Sequence, residues 1–241
     1  MKIIITKDYQ ELTERASQIV ISLMEKNPQA ILGLATGSTP LGLYARLVEK
    51  YKKQVISFSQ IKTFNLDEYC NIPKLHPQSY YYYMHWHLFN HIDIKPENIN
   101  IPKSGGDDYD VLCQDYNEKL KENIIDLQIL GIGNNGHIGF NEPGTPFDKE
   151  THIVELADAT RQANKRFFNS IEEVPQYAIT MGINNIMQAK KILLLASGLA
   201  KADIMKEVIF GGVTEEVPAS ILKTHSDVTI IIDNEAASKL K

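Results

Sequence analysis

Ala30-Ile31-Leu32-Gly33-Leu34-Ala35-Thr36-Gly37-Ser38-Thr39-Pro40 is an apolar run that passes through a short hydroxyl-rich turn to a proline. The run has the length of a buried strand, and Pro40 suits a helix start, where its missing N–H costs nothing. Strand, tight turn and helix together make a βα unit. The same alternation extends in both directions. Short apolar runs at 2–6, 61–66, 126–132, 177–181, 191–196 and 228–232 read as strands, beside 30–35. Helical patterns fill 8–26, 40–53, 78–90, 109–123, 160–168 and 200–210. In the first of these, Leu12, Ala16, Ile19, Val20 and Leu23 recur at helical spacing. This order predicts an α/β protein with a mostly parallel sheet.

The composition is that of an ordinary globular domain: 241 residues, 43% hydrophobic and 23% charged, with no repeat or linker dividing the chain. The formal net charge is -5, and no basic run would track a phosphate backbone, so nucleic acid is not an expected partner. The opening MKIIITKDYQ is too short for a signal-peptide apolar region, and no window reaches membrane-spanning length. Cys70 and Cys113 lie far apart in sequence and form no metal-spaced pattern, which fits a reducing cytoplasm.

Four loops of distinctive chemistry follow strand ends: 36–39, Asp67-Glu68, 133–139 and Ser197-Gly198. In an open parallel sheet, ligand sites form at the carboxyl ends of strands, so these loops should converge on one edge. The segment Thr36-Gly37-Ser38-Thr39 offers hydroxyls, a glycine and a helix start, all suited to an anion. It reads equally as an ordinary capped turn with Thr39 as N-cap. In Thr63-Phe64-Asn65-Leu66-Asp67-Glu68-Tyr69 the paired carboxylates are a candidate general base or a solvated acidic loop.

The stretch 131–144 is the most informative. It packs His137, Glu142, three asparagines and five glycines into one loop after a strand. Glycines at that density point to unusual backbone angles or close ligand approach. Imidazole can take and return a proton near neutral pH, and Glu142 is close enough in sequence to orient it. A purely structural turn needs neither that pair nor so many glycines. Arg166 and Lys201 are candidate phosphate ligands or surface charges. His85, His87 and His91 lie on a helical pattern without a third ligand at a telling spacing, so no metal is expected. The tyrosines at 80–83 and Trp86 suggest an aromatic helix face packed on the sheet.

Taken together, these segments resemble the glucosamine-6-phosphate deaminase family over nearly the whole chain. The specific pieces are the turn at 36–40, Phe64-Asn65-Leu66-Asp67-Glu68-Tyr69, His76-Pro77-Gln78-Ser79-Tyr80, Gly136-His137-Ile138-Gly139-Phe140-Asn141-Glu142-Pro143 and Asp158-Ala159-Thr160-Arg161-Gln162-Ala163-Asn164. The resemblance implies one Rossmann-like α/β domain over 1–241, with helices on both faces of the sheet and a mobile lid near 156–177. It implies Asp67 as the proton shuttle of enolisation, and His137, helped by Asn135 and Glu142, as the group that opens the sugar ring. Thr36, Gly37, Ser38, Thr39, Arg166 and Lys201 would hold a sugar phosphate. No cofactor or metal is implied, and the expected form is a cytoplasmic monomer or small homo-oligomer.

Two departures from the family pattern matter. Some members carry Asp where this chain has Asn135, which leaves Glu142 as the charge partner of His137. Allosteric hexameric members carry basic residues where this chain has His152 and Val154, and they extend beyond the position of Lys241. Hyperbolic kinetics without activation by N-acetylglucosamine 6-phosphate are therefore expected. The alternatives are a lactonase or isomerase for another sugar phosphate, and a non-catalytic sugar-phosphate sensor. A lactonase needs no base at C2, so Asp67 argues against it.

Overall fold

In the computed structural model, the described residues are 1–240 except 104, 107, 157–160, 163–164, 166–167 and 169. The elements that build the site are β1 (Lys2–Thr6), α1 (Tyr9–Lys26), β2 (Ile31–Leu34), α2 (Leu41–Lys52), β3 (Lys62–Asn65), β4 (Asp67–Tyr69), α3 (Tyr80–His87), β5 (Ile99–Asn100), α4 (Tyr109–Glu122), β6 (Leu127–Leu130), β7 (His152–Glu155), β8 (Tyr177–Thr180), α5 (Ile183–Met187), β9 (Ile192–Ala196), α6 (Ala202–Phe210) and β10 (Val228–Asp233). Seven strands form a sheet in the order β1-β10-β9-β6-β2-β3-β5. Every pair in it is parallel.

Side-chain alternation along the strands explains the layers. Leu193, Leu195 and Ile231 face one core with Leu12 and Val20 of α1 and Leu43 and Leu47 of α2. Leu194, Ala196, Ile230 and Ile232 face the other, with Leu120 of α4 and Met205 and Val208 of α6. Strands buried on both faces read as continuous apolar runs, which is why β9 and β10 stand out in the sequence.

The sheet order reverses between β2 and β6. From β2 the chain proceeds outward to β3, and from β6 it proceeds outward the other way to β9. The loops leaving these two neighbouring strands therefore diverge and open a crevice at their carboxyl ends.

Several local expectations change. Residues 177–181 are not in the parallel sheet: β8 pairs antiparallel with β4 and β7 in a separate three-stranded sheet. Asp67 and Glu68 belong to β4 and are buried, not looped into solvent. Thr39 is not the N-cap of α2; Pro40 holds that position without a side-chain cap. Trp86 is 61% exposed and stacks on Tyr82 instead of packing on the sheet. Helix α3 ends at His87, followed by a single 3-10 turn at Phe89–His91. Cys70 and Cys113 are both buried and share one small apolar cluster with Ile179. Arg166 and much of the expected lid lie outside the described residues. Among the described residues no helix is long and apolar enough to cross a membrane, and no group of three or more metal-ligating side chains occurs.

Candidate active site

A cavity of about 780 Å³ opens at the β2/β6 crevice. Into it come Thr36, Gly37, Ser38 and Thr39 after β2, Asp67 from β4, and Asn135, His137 and Glu142 after β6. Ser197 and Lys201 reach it from the turn after β9. Three of the four loops expected from the sequence converge there, and the fourth segment contributes Asp67 from strand β4. Tyr80, from the first turn of α3, lines the same cavity.

Gly37 takes a left-handed φ of 97°, which bends the first loop without steric cost. Two tyrosines hold its backbone in place. The Tyr83 hydroxyl donates to the Gly37 carbonyl at 2.6 Å, and that of Tyr9 donates to the Thr39 carbonyl at 2.9 Å. The Tyr9 oxygen also accepts from Gly42 N–H. Small hydroxyls at the start of a twelve-residue helix have the chemistry to receive an anion. The Lys201 ammonium donates to Asn134 Oδ1 at 2.6 Å, and partial burial holds its pKa below the usual value. One step upstream, Ser197 Oγ and the Gly198 N–H donate to the Asp233 carboxylate at the end of β10. That carboxylate pins the turn leading to Lys201.

The loop after β6 is built around the imidazole. His137 Nδ1 stands 3.1 Å from Glu142 Oε1, but its N–H is not in line with the oxygen. The contact is thus a close approach of the two groups without an aligned hydrogen bond. Asn135 Nδ2 donates to Glu142 Oε2 at 2.5 Å, and Asn135 Oδ1 accepts from His137 N–H at 3.3 Å. Asn135 holds geometry while Glu142 carries the charge. Contact with His137, and then with Asn135, holds the Glu142 carboxyl below its usual range against the opposing effect of burial. Gly133 lies beneath the ring: a Cβ there would stand 2.2 Å from His137 Cε1. That close approach accounts for one of the loop's glycines.

Asp67 is buried, only 6% exposed, in the wall of the cavity. Burial, reinforced by the neighbouring Glu68 charge, pushes its pKa up to about 8. Opposite it, Gly139 has a φ of 58°, and a Cβ there would crowd Thr180 Oγ1 at 3.0 Å and stand 3.6 Å from Asp67 Oδ2. A buried carboxyl that titrates near working pH, facing a cavity with an imidazole in its wall, can shuttle a proton. The opposite wall offers hydroxyls, a helix start and an ammonium to hold an anion. The sequence reading did not assign roles to Tyr80, Asn134 or Asp233. Each acts through partners distant in sequence, so no local pattern marks it.

The family model for glucosamine-6-phosphate isomerases/6-phosphogluconolactonase matches residues 7–231. A protein named glucosamine-6-phosphate deaminase from Thermoanaerobacter sp. (strain X514) is 55% identical over 239 residues, covering 99% of this chain and 94% of that protein. One of the same name from Clostridium novyi (strain NT) is 55% identical over 241 residues, covering both chains in full. A solved structure described as a monomeric glucosamine-6-phosphate deaminase superposes with a TM-score of 0.95 at 46% identity, covering 99% of this chain and 100% of that one. A 6-phosphogluconolactonase from Trypanosoma brucei shares the fold, with a TM-score of 0.80 at 19% identity over 100% and 98% of the two chains.

Proposed function

The chain belongs to the family of glucosamine-6-phosphate isomerases and 6-phosphogluconolactonases, and we propose from that premise that it converts glucosamine 6-phosphate and water into fructose 6-phosphate and ammonia. The observation that carries this reading is the meeting of a buried carboxyl, a His–Glu pair and an anion cradle around one cavity. A lactone hydrolase has no use for a base at C2.

The roles follow from the chemistry. The pyranose opens when a proton moves from the C1 hydroxyl to the ring oxygen. His137 carries that proton, with Glu142 balancing the imidazolium and Asn135 holding both. Asp67, as carboxylate, then removes the C2 proton of the open aldehyde and delivers it to C1 of the resulting enolamine. C2 becomes an imine, which water hydrolyses to the ketone with loss of ammonia. Thr36, Gly37, Ser38, Thr39 and Lys201 hold the phosphate, and Arg166 joins them from a lid near 156–177 that is part of the single domain 1–241. Binding energy from the remote phosphate aligns the reacting carbons.

Amino-sugar catabolism in the cytoplasm is the setting this reading implies, as a monomer or small homo-oligomer. Ammonia release from glucosamine 6-phosphate is the test. A rate no higher for the phosphorylated sugar than for glucosamine overturns the reading. The curves should be hyperbolic, with and without N-acetylglucosamine 6-phosphate. His152, at the start of β7, points its Nδ1 at the Glu150 carbonyl, and burial pushes its pKa down. It is thus neutral near pH 7, and Val154 has no charge to offer an effector phosphate.

Lys201→Ala should raise KM about tenfold or more, since on this reading the partly buried ammonium makes a charge-assisted contact with the phosphate. A fall in kcat as well would mean that the phosphate grip also aligns the sugar. Normal KM and kcat would move the phosphate site elsewhere.

A further inference from the structure

Glu68 is the neighbour of Asp67, yet it does not line the cavity, and the roles above leave it unused. It is 2% exposed. Its Oε1 accepts from the backbone N–H of Tyr69 and of Tyr80, both at 2.9 Å, and its Oε2 accepts from Tyr81 N–H at 2.8 Å. Two of these donors are the first two residues of α3, whose N-cap is already filled: Ser79 Oγ accepts from Tyr82 N–H at 3.0 Å. Ser79 thus satisfies one first-turn donor, and Glu68 takes the two that Ser79 does not reach. Because the capping carboxylate comes from β4 and not from the helix's own lead-in, it also ties the start of α3 to the strand that carries Asp67.

The tie fixes Tyr80. Its ring is held between Tyr69 at 4.8 Å and Phe140 at 6.1 Å, and its hydroxyl reaches Tyr69 and Thr36 at the cavity wall. Strand β4 alternates its faces, so Asp67 points into the cavity while Glu68 points away, toward α3. One short strand thus carries both the reacting carboxyl and the anchor of the wall opposite it.

We propose that Glu68 is a positioning residue of this same site: its buried carboxylate locks the first turn of α3 onto β4, setting Tyr80 against the substrate, and its negative charge sets the field in which Asp67 gives and takes its proton. The proposal rests on the deaminase reading above. The charged and titratable groups around the pair are few. Facing Asp67 are Tyr44 of α2, Tyr80 of α3 and Tyr116 of α4, with His137, Glu142 and Lys201 across the cavity. Facing Glu68 on its other side are Lys74, Tyr81 and Lys103, which line a small pocket of about 230 Å³, and the Cys70 thiol. Burial pushes the Glu68 carboxyl above its usual range against the pull of its three backbone donors, and burial also raises the tyrosines near Asp67, so Glu68 is the acidic neighbour that acts on it.

Glu68→Gln keeps the shape but removes the charge, and it turns one accepting oxygen into an N–H₂ that faces a backbone donor. The acidic limb of kcat/KM against pH should move down by about one unit, and kcat should fall about tenfold. Glu68→Asp keeps the charge and shortens the reach; its limb should stay in place while kcat falls. Ser79→Ala loosens the same helix end without touching either carboxylate, and it should move neither quantity beyond twofold. An unmoved limb with near-normal kcat in Glu68→Gln overturns the proposal, as does Ser79→Ala reproducing the full shift. Should Glu68→Gln fail to fold, a wild-type kcat in Glu68→Asp overturns it equally. A wild-type protein that releases no ammonia overturns the deaminase reading itself, a separate outcome from an active wild type with indifferent variants.

Discussion

Replacing Asp67 by Asn is expected to lower turnover by about two to four orders of magnitude, the usual contribution of a positioned acid–base group, while a substrate analogue binds nearly as before. The amide keeps the size and donates a hydrogen bond but cannot take the C2 proton. Because burial pushes the Asp67 pKa up to about 8, wild-type kcat/KM should climb as pH rises toward that value, and the variant's residual rate should lack that limb. Stability should move the opposite way. A carboxyl whose folded pKa exceeds its unfolded value, about 3.9, contributes stability that is full below the unfolded value. That contribution is lost as pH rises through the folded one. Asp67→Asn should therefore gain on the wild type across the window from about 4 to about 8, by about 2–5 kcal/mol at its upper end. Urea melts at pH 5 and pH 8.5 would read the change directly. A variant less stable than the wild type at the higher pH, or one with near-normal ammonia release, would remove Asp67 from this role.

Gly133→Ala is expected to cost about a hundredfold or more in kcat with little loss of stability. The added methyl would stand 2.2 Å from His137 Cε1, so one of the two must move. The imidazole is about one-third exposed and hangs on two rotatable bonds, whereas the glycine belongs to the backbone leaving a buried strand. The ring will give way. A displacement of about 1 Å is enough to cost two orders of magnitude when a proton must be handed over at fixed geometry. The folded state loses only the contact with Glu142, worth about 0–1 kcal/mol for a partly exposed pair. Kinetics and a thermal melt on the same sample test both halves. A variant that unfolds, or one that turns over normally, contradicts this account of the loop.

The parallel sheet was legible because its central strands are buried on both faces and must be written in Ile, Leu and Val. The three-stranded sheet was not. Its β4 is Asp67-Glu68-Tyr69, whose polar letters read as a loop, and β7 is only four residues long and partly buried. Both are strands because each finds β8, and for β4 that pairing spans more than a hundred residues of sequence. The site divides in the same way. His137, Asn135 and Glu142 sit within one loop, so their spacing announces their contact. The desolvation of Asp67 comes from α2, α3 and α4 folding over it, and nothing near residue 67 in sequence records that.

The strand nearest the N-terminus pairs with the last strand of the sheet, Lys2 opposite Thr229 through Thr6 opposite Asp233. As the chain leaves the ribosome, β1 and α1 emerge first but must wait for β10 before that edge can close. The delay reaches the cavity as well, because Asp233 at the end of β10 is the group that clamps Ser197 and Gly198 ahead of Lys201. Asp67 and His137 both precede β10 in the chain, yet until β10 is in place the turn that presents Lys201 has no clamp. One strand thus serves two ends of the molecule, closing the sheet beside β1 and fastening the turn ahead of Lys201.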